Sequence, residues 1–136
     1  MVKKKIKKKS KKNLKKIFLD VGNSPTVESI KEYRKYFGDD YFSFWTNGVL
    51  NIVINTNLIT SEGIKAKQFY EEQINWLTEL LEKNRDKAKH ILVFQHIPFF
   101  LENRDDEDFY FIVPKTQRHK YLELFKKNGV RCVFAG

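Results

Sequence analysis

Residues 91–94 read Ile-Leu-Val-Phe and run straight into Gln95-His96-Ile97-Pro98, and few folds satisfy both halves of that stretch. Four consecutive apolar residues ended by polar ones predict a strand buried on both faces, of the kind found inside a parallel sheet. Pro98 lacks an amide proton and holds Ile97 extended, so the strand stops abruptly and the turn after His96 is stiff. His96 then stands at the carboxyl end of an interior strand. In open α/β sheets this is the edge where side chains from several strands converge on ligands and metals. Two roles are open to such an imidazole: metal ligand or proton carrier on one side, and a ring that merely satisfies a loop carbonyl on the other.

The rest of the chain builds around that strand. Tyr41–Trp45 and Val49–Asn55 flank Thr46-Asn47-Gly48, and Asn-Gly between two strand-like runs predicts a β-hairpin over 41–55. The aromatic residues of its first strand are expected in the core. Upstream, Ser24 and Pro25 would start a helix that Gly38 ends, with Val27, Ile30 and Phe37 near one face. From Ile64 to Asn84, Tyr70, Ile74, Leu77 and Leu81 recur at helical spacing, joined by Phe69, Trp76 and Leu80, which predicts an amphipathic helix over the sheet. It links the hairpin to the strand before His96 as a βαβ unit with a right-handed crossover. A polar loop over 101–115 contains Asp105-Asp106-Glu107-Asp108 and then Phe109-Tyr110-Phe111, without the alternating ligands and central glycine of a calcium loop. A helix over 116–128, stopped by Gly129, leads to a last strand over 130–136. A strand ending in Ala135-Gly136 directs its carboxyl end to the edge that holds His96. A functional loop is expected beyond it, so the sequence reads as a piece of a longer domain.

Charge divides the chain in two. Residues 1–16 hold ten lysines and no acid, and the remaining residues hold 16 basic against 17 acidic side chains, so the net charge of +9 belongs to the tail. Residues 1–16 are expected to be a disordered lysine-rich tail, and residues 17–136 a partial folded domain. Nucleic-acid binding is not expected beyond a weak contribution from that tail, because the body is nearly neutral. A single cysteine, Cys132, excludes an internal disulfide and is expected to pack inertly in an apolar strand, in a cytoplasmic setting, or a nuclear one if the tail acts as a localisation signal. The sequence contains no apolar run of membrane-spanning length.

Taken in order, Asp20-Val21-Gly22-Asn23-Ser24-Pro25-Thr26, Gly38-Asp39-Asp40-Tyr41-Phe42-Ser43-Phe44-Trp45, Gln73 with Trp76-Leu77, Phe94-Gln95-His96-Ile97-Pro98 and Val133-Phe134-Ala135-Gly136 resemble the calcineurin-like metallophosphoesterases, and within them a branch of protein serine/threonine phosphatases. The resemblance implies an α/β fold, part of a four-layer αββα sandwich with a mixed sheet. It also implies two divalent metal ions (Mn, Fe, Zn or Mg) at the strand ends and a phosphoprotein substrate. By the family's pattern His96 is a metal ligand. Asp20 is the remnant of a Gly-Asn-His-Asp motif in which Phe18 and Leu19 replace the metal-binding Asn and the catalytic His. Gly136 is the first residue of a Gly-His-x-His motif. Asn23, Glu102, Arg104 and Asp105 are candidates for loops that contact substrate.

One imidazole does not hold two metals, so the chain as written is expected to bind none tightly and to lack phosphatase activity. The reading is therefore a metal-dependent phosphoester hydrolase represented by a part that lacks most of its ligands. The alternative is a non-catalytic interaction protein that retains half the fold and offers a basic tail to an acidic partner.

Overall fold

The computed structural model describes residues 25–60 and 65–136. The expected lysine-rich tail over 1–16 lies outside them, as do Phe18, Leu19, Asp20, Asn23 and Ser24. The described chain forms helix α1 (Val27–Phe37), strands β1 (Phe42–Thr46) and β2 (Val49–Val53), a short helix α2 (Thr56–Thr60), helix α3 (Lys67–Asn84), strand β3 (His90–Gln95), helix α4 (Lys115–Lys127) and strand β4 (Val130–Ala135).

The four strands make one mixed sheet in the order β1-β2-β3-β4. β1 and β2 are the predicted hairpin, paired antiparallel from Phe42 opposite Val53 to Thr46 opposite Val49. Its turn places Asn47 at φ 50° and Gly48 at φ 83°, the two positive values that match the twist of the flanking strands. β2 runs parallel to β3, and β3 parallel to β4, with an irregularity between Ile91 and Leu92. The βαβ unit predicted from β2 through α3 to β3 is therefore present.

The core lies on one face of this sheet. Leu50, Ile52, Ile91 and Val93 are at most 2% exposed and pack with Leu77 and Leu81 of α3 and with Tyr121 and Phe125 of α4. Burying side chains of this size stabilises the fold by about 1.5–3 kcal/mol each. A second cluster of Ile30, Leu58, Ala66 and Phe69 fixes α1 against α2 and α3.

The opposite face departs from expectation. Phe42, Val53, Phe94 and Phe134 share one rung across all four strands, yet Phe42 is 44% exposed and Phe134 49%. β3 is thus covered on one face and only half-buried on the other. The aromatics of β1, predicted in the core, are exposed: Phe42 and Phe44 on this open face, and Trp45 on the core face, opposite Leu50, where the edge strand leaves it half-covered. β1 and β4 are edge strands, and all the described helices that contribute to the core cover the other side. Cys132, predicted to be packed, is exposed for the same reason.

α1 also begins later than expected. Thr26 is its N-cap: the Ser29 amide donates to Thr26 Oγ1 at 3.1 Å, and the Thr26 amide donates to Ser29 Oγ at 2.9 Å. That reciprocal pair satisfies two otherwise orphaned amides, so Pro25 precedes the helix instead of opening it. Gly38, at φ 85°, ends the helix as predicted. Ile30 is buried, but Phe37 at the last position is 49% exposed and leans on Tyr33, so it does not share the buried face. α3 starts at Lys67, later than the expected Ile64, and ends at Asn84 as expected, and α4 ends beside Gly129 at φ 71°, as read from the sequence.

Candidate functional site

Parallel strands with helical crossovers bring the segments after β2, β3 and β4 to a single edge of the sheet. There a cleft of about 360 Å³ is lined by Tyr33, Asp40, Asn55, Gln95, His96 and Gly136, among others. The sequence placed His96 and Gly136 at one edge, and the structure brings them into contact. His96 Nδ1 lies 2.9 Å from the carbonyl oxygen of Gly136. A backbone oxygen only accepts, so this contact requires a proton on Nδ1, and a neutral ring in this geometry has its lone pair on Nε2. Metal-ligating histidines are commonly oriented by this pattern, in which one ring nitrogen donates to the backbone and the other is left for the ligand.

The turn that carries His96 is braced from two sides. The Ile97 amide donates to Thr56 Oγ1 at 3.0 Å, which ties the end of β3 to the start of α2. Gln95 Nε2 donates to the Ile97 carbonyl at 2.8 Å, spanning His96. Gln95 and Thr56 are both buried.

The neighbouring strand end is held as firmly. The amide of Asn55 donates to Gln73 Oε1 at 2.7 Å, and Gln73 Nε2 donates back to the Asn55 carbonyl at 3.2 Å. Gln73 is wholly buried, which gives the Gln-x-x-Trp-Leu pattern of α3 a physical role: its glutamine takes the place of the next ladder rung beyond β2. Asn55 Nδ2 then donates to Asp40 Oδ2 at 2.8 Å.

Asp40 also receives Arg34 Nε at 2.6 Å, with its own side chain only 6% exposed. Arg34 lies over the ring of Phe69, 4.6 Å from its centroid. Burial alone would lower the pKa of this guanidinium, but the hydrogen bond and charge of Asp40 outweigh it and hold the value above normal. Burial raises the phenol of Tyr41. Asp40 is therefore committed to a structural pair.

Among the described residues no group of three or more His, Cys, Asp or Glu is placed to hold a metal ion. The residues described fit one ligand position and not a whole centre: His96 offers one nitrogen, and the carboxylate of the cleft is already bonded. Asp20, Leu19 and Asn23 lie outside the described residues. Glu102, Arg104 and Asp105 do not line the cleft. Arg104 pairs with Glu123 at 3.2 Å and Asp105 with His119 at 3.0 Å, on the loop that follows β3.

Sequence reasoning missed Asp40, Asn55, Gln73, Gln95 and Arg118. Asp40, Asn55 and Gln95 lie beside or at strand ends and Gln73 lies inside α3; the bonds of Asp40 to Asn55 and of Asn55 to Gln73 join residues distant in sequence, so no local period signals them. Arg118 is wholly buried within α4 and donates to the carbonyls of Val113, Arg104 and Asp106. A buried arginine on the otherwise apolar inner side of a helix is a legible anomaly, since such a charge needs a specific set of acceptors.

No helix among the described residues is long and apolar enough to cross a membrane. No protein-family model matches the chain. It is similar to the serine/threonine-protein phosphatase CPPED1 of Homo sapiens, 43% identical over 119 residues, and to those of Rattus norvegicus, 39% over 118, and Danio rerio, 40% over 119. Each match covers 86% of this chain and 38% of the relative, so the chain spans little more than a third of the length of these relatives. The resemblance to a calcineurin-like phosphoesterase-domain phosphatase, read from the motifs, is thereby borne out, and the mixed sheet flanked by helices agrees with part of that fold.

Proposed function

We propose that this chain is part of a calcineurin-like metallophosphoesterase, a metal-dependent phosphoester hydrolase that acts on phosphoserine or phosphothreonine in proteins, with His96 as one of its metal ligands. The observation that carries this reading is the His96 ring, whose Nδ1 lies 2.9 Å from the Gly136 backbone oxygen, a geometry that leaves Nε2 of the neutral ring for a ligand at a cleft on the carboxyl edge of a parallel sheet. The names of the relatives support the phosphatase assignment. A divalent metal at such an edge supplies Lewis-acid polarisation of a phosphoryl oxygen. The residues of this chain contribute orientation: Thr56 and Gln95 hold the turn, Gly136 sets the tautomer, and Asn55 with Asp40 shapes the opposite wall of the cleft. Because the chain covers 38% of its relatives and the described residues supply one ligand, hydrolysis belongs to a longer product and not to these 136 residues alone. We place that product in the cytoplasm, consistent with a lone cysteine that forms no internal disulfide.

The experiment is to capture the native protein with an antibody against α3, determine its intact mass, and assay it on a phosphoserine peptide with and without a chelator. The reading expects a mass well above 16.3 kDa and hydrolysis that the chelator abolishes. A native mass of 16.3 kDa with no metal-dependent hydrolysis overturns it and leaves a non-catalytic interaction protein.

A further inference from the structure

The backbone of the loop between β3 and α4 is held by many hydrogen bonds, yet the loop exposes large apolar side chains. Leu101, Phe109, Tyr110 and Phe111 are between 55% and 70% exposed. The three aromatic rings pack on one another edge to face, Phe109 on Phe111 at 5.5 Å and Tyr110 on Phe111 at 4.9 Å. Exposed apolar side chains gathered in this way mark interaction surfaces in soluble proteins.

The hydrogen bonds show why the patch does not collapse. Asp106 accepts three amides in succession, from Leu101, Glu102 and Asn103, at 3.0–3.1 Å. Arg118, wholly buried, donates to the carbonyls of Arg104 at 3.0 Å and Asp106 at 2.8 Å from below. Asp108 accepts the Lys115 amide at 2.6 Å, and the Val113 amide returns to the Pro98 carbonyl at 2.9 Å. The loop thus leaves the sheet and returns to it two residues beyond His96. Its backbone is ordered before any partner arrives, which lowers the entropy lost on association.

Its charge indicates the partner. Residues 101–113 carry five carboxylates against one arginine. Asp106 and Asp108 are used within the loop, and Asp105 pairs with His119. Glu102 and Glu107 remain exposed with no cationic partner among the described residues. We infer that this loop is a docking site for a peptide segment in which Lys or Arg alternates with aliphatic side chains. The aliphatic groups would seat on Phe109, Tyr110 and Phe111, and the cations on Glu102, Glu107 and the aromatic faces. This inference concerns binding alone and needs no metal, so it stands or falls separately from the hydrolase reading.

The test uses the whole 136-residue chain and a fluorescent peptide that alternates Arg with Leu, read by anisotropy near physiological salt. Residues 1–16 are common to every variant, so differences between variants report on the loop. The expected result is saturable binding that weakens roughly tenfold or more in Y110A/F111A and several-fold in E102Q/E107Q, with none for a peptide that has Glu in place of Arg. Circular dichroism establishes folding of each variant; if Y110A/F111A does not fold, E102Q/E107Q, which alters only surface carboxylates, decides. Absence of binding, or equal binding by all variants, overturns the inference. So does a concentration-dependent dimer of the chain that Y110A/F111A abolishes while peptide binding is unaffected, because the occupant is then a second copy.

Discussion

The carbonyl of Gly136 accepts the Nδ1 proton of His96 at 2.9 Å, joining residues from the ends of two adjacent parallel strands. The bond fixes a tautomer at an exposed position, where it adds little stability but sets which nitrogen meets a ligand. Replacing His96 with Ala should therefore change the folding stability of the chain by no more than about 0.5 kcal/mol in urea denaturation. On the proposed hydrolase reading, the same substitution in the native protein should reduce metal-dependent kcat/KM by about a hundredfold or more. A His96→Ala protein that keeps full metal-dependent hydrolysis would falsify the ligand assignment.

How the sequence announced this site, and how it did not, follows from the range of the interactions involved. The Asn47-Gly48 turn, the Gly38 and Gly129 helix stops and the helical spacing of α3 are local, so the residues themselves carried them. His96 was legible because an apolar run and a proline bracket it. Asp40 was not. Its partners Arg34 and Asn55 lie six residues before and fifteen after it, on different elements, and nothing in the local pattern distinguishes it from Asp39. The exposed face of Phe42, Phe94 and Phe134 misled for a related reason. Apolar strands read as doubly buried whenever both faces are apolar, whether or not anything among the described residues covers the second face.

Asp40 should be costly to remove although it has no catalytic assignment. Asp40→Ala leaves the Arg34 guanidinium and the Asn55 amide without acceptors in a nearly closed wall of the cleft. Loss of a buried pair partner costs about 3–5 kcal/mol, and the 29% exposure of Arg34 lets water recover part of that. The expected loss is about 2 kcal/mol by chemical denaturation. Asp40→Asn, which keeps one acceptor oxygen, should lose less.

Arg118 is expected to be the most sensitive position outside the apolar core. Arg118→Lys keeps the charge but cannot span the carbonyls of Val113, Arg104 and Asp106 together, and should cost about 2–3 kcal/mol. Hydrogen exchange of the 101–106 amides should accelerate more than that of α3. Equal acceleration throughout would show that Arg118 supports the whole fold and not the loop.

The same loop should respond to acid through Asp106. Its backbone hydrogen bond from Glu102, aided by those from Asn103 and Leu101 and by the charge of Arg118, holds the carboxyl below its usual value of 3.8. A depressed folded value means that the ionised form is the one the fold favours, so the contribution is complete above 3.8 and is lost as pH falls through the lower folded value. The Leu101, Glu102 and Asn103 amides should therefore keep their protection down to about pH 4 and lose it below. In Asp106→Asn, which takes no part in that titration, their protection should be lower at neutral pH and flat across the acid range.

Cys132 gives direct access to the open face of the sheet. It lies on β4, one position from the Phe134 rung in the face's alternation, and it is exposed. An exposed thiol on an edge strand should react with a disulfide reagent such as 5,5′-dithiobis(2-nitrobenzoate) at a rate within about tenfold of that of a free cysteine peptide, without denaturant. If the native protein is longer, as proposed, the comparison becomes informative about architecture. If additional chain covers the rung of Phe42, Val53, Phe94 and Phe134, Cys132 should be protected there and reactive in the isolated chain, and denaturant should remove the difference. Equal reactivity in both would mean that this aromatic face stays open in the whole protein, and that the edge strand β4 is guarded by something other than burial.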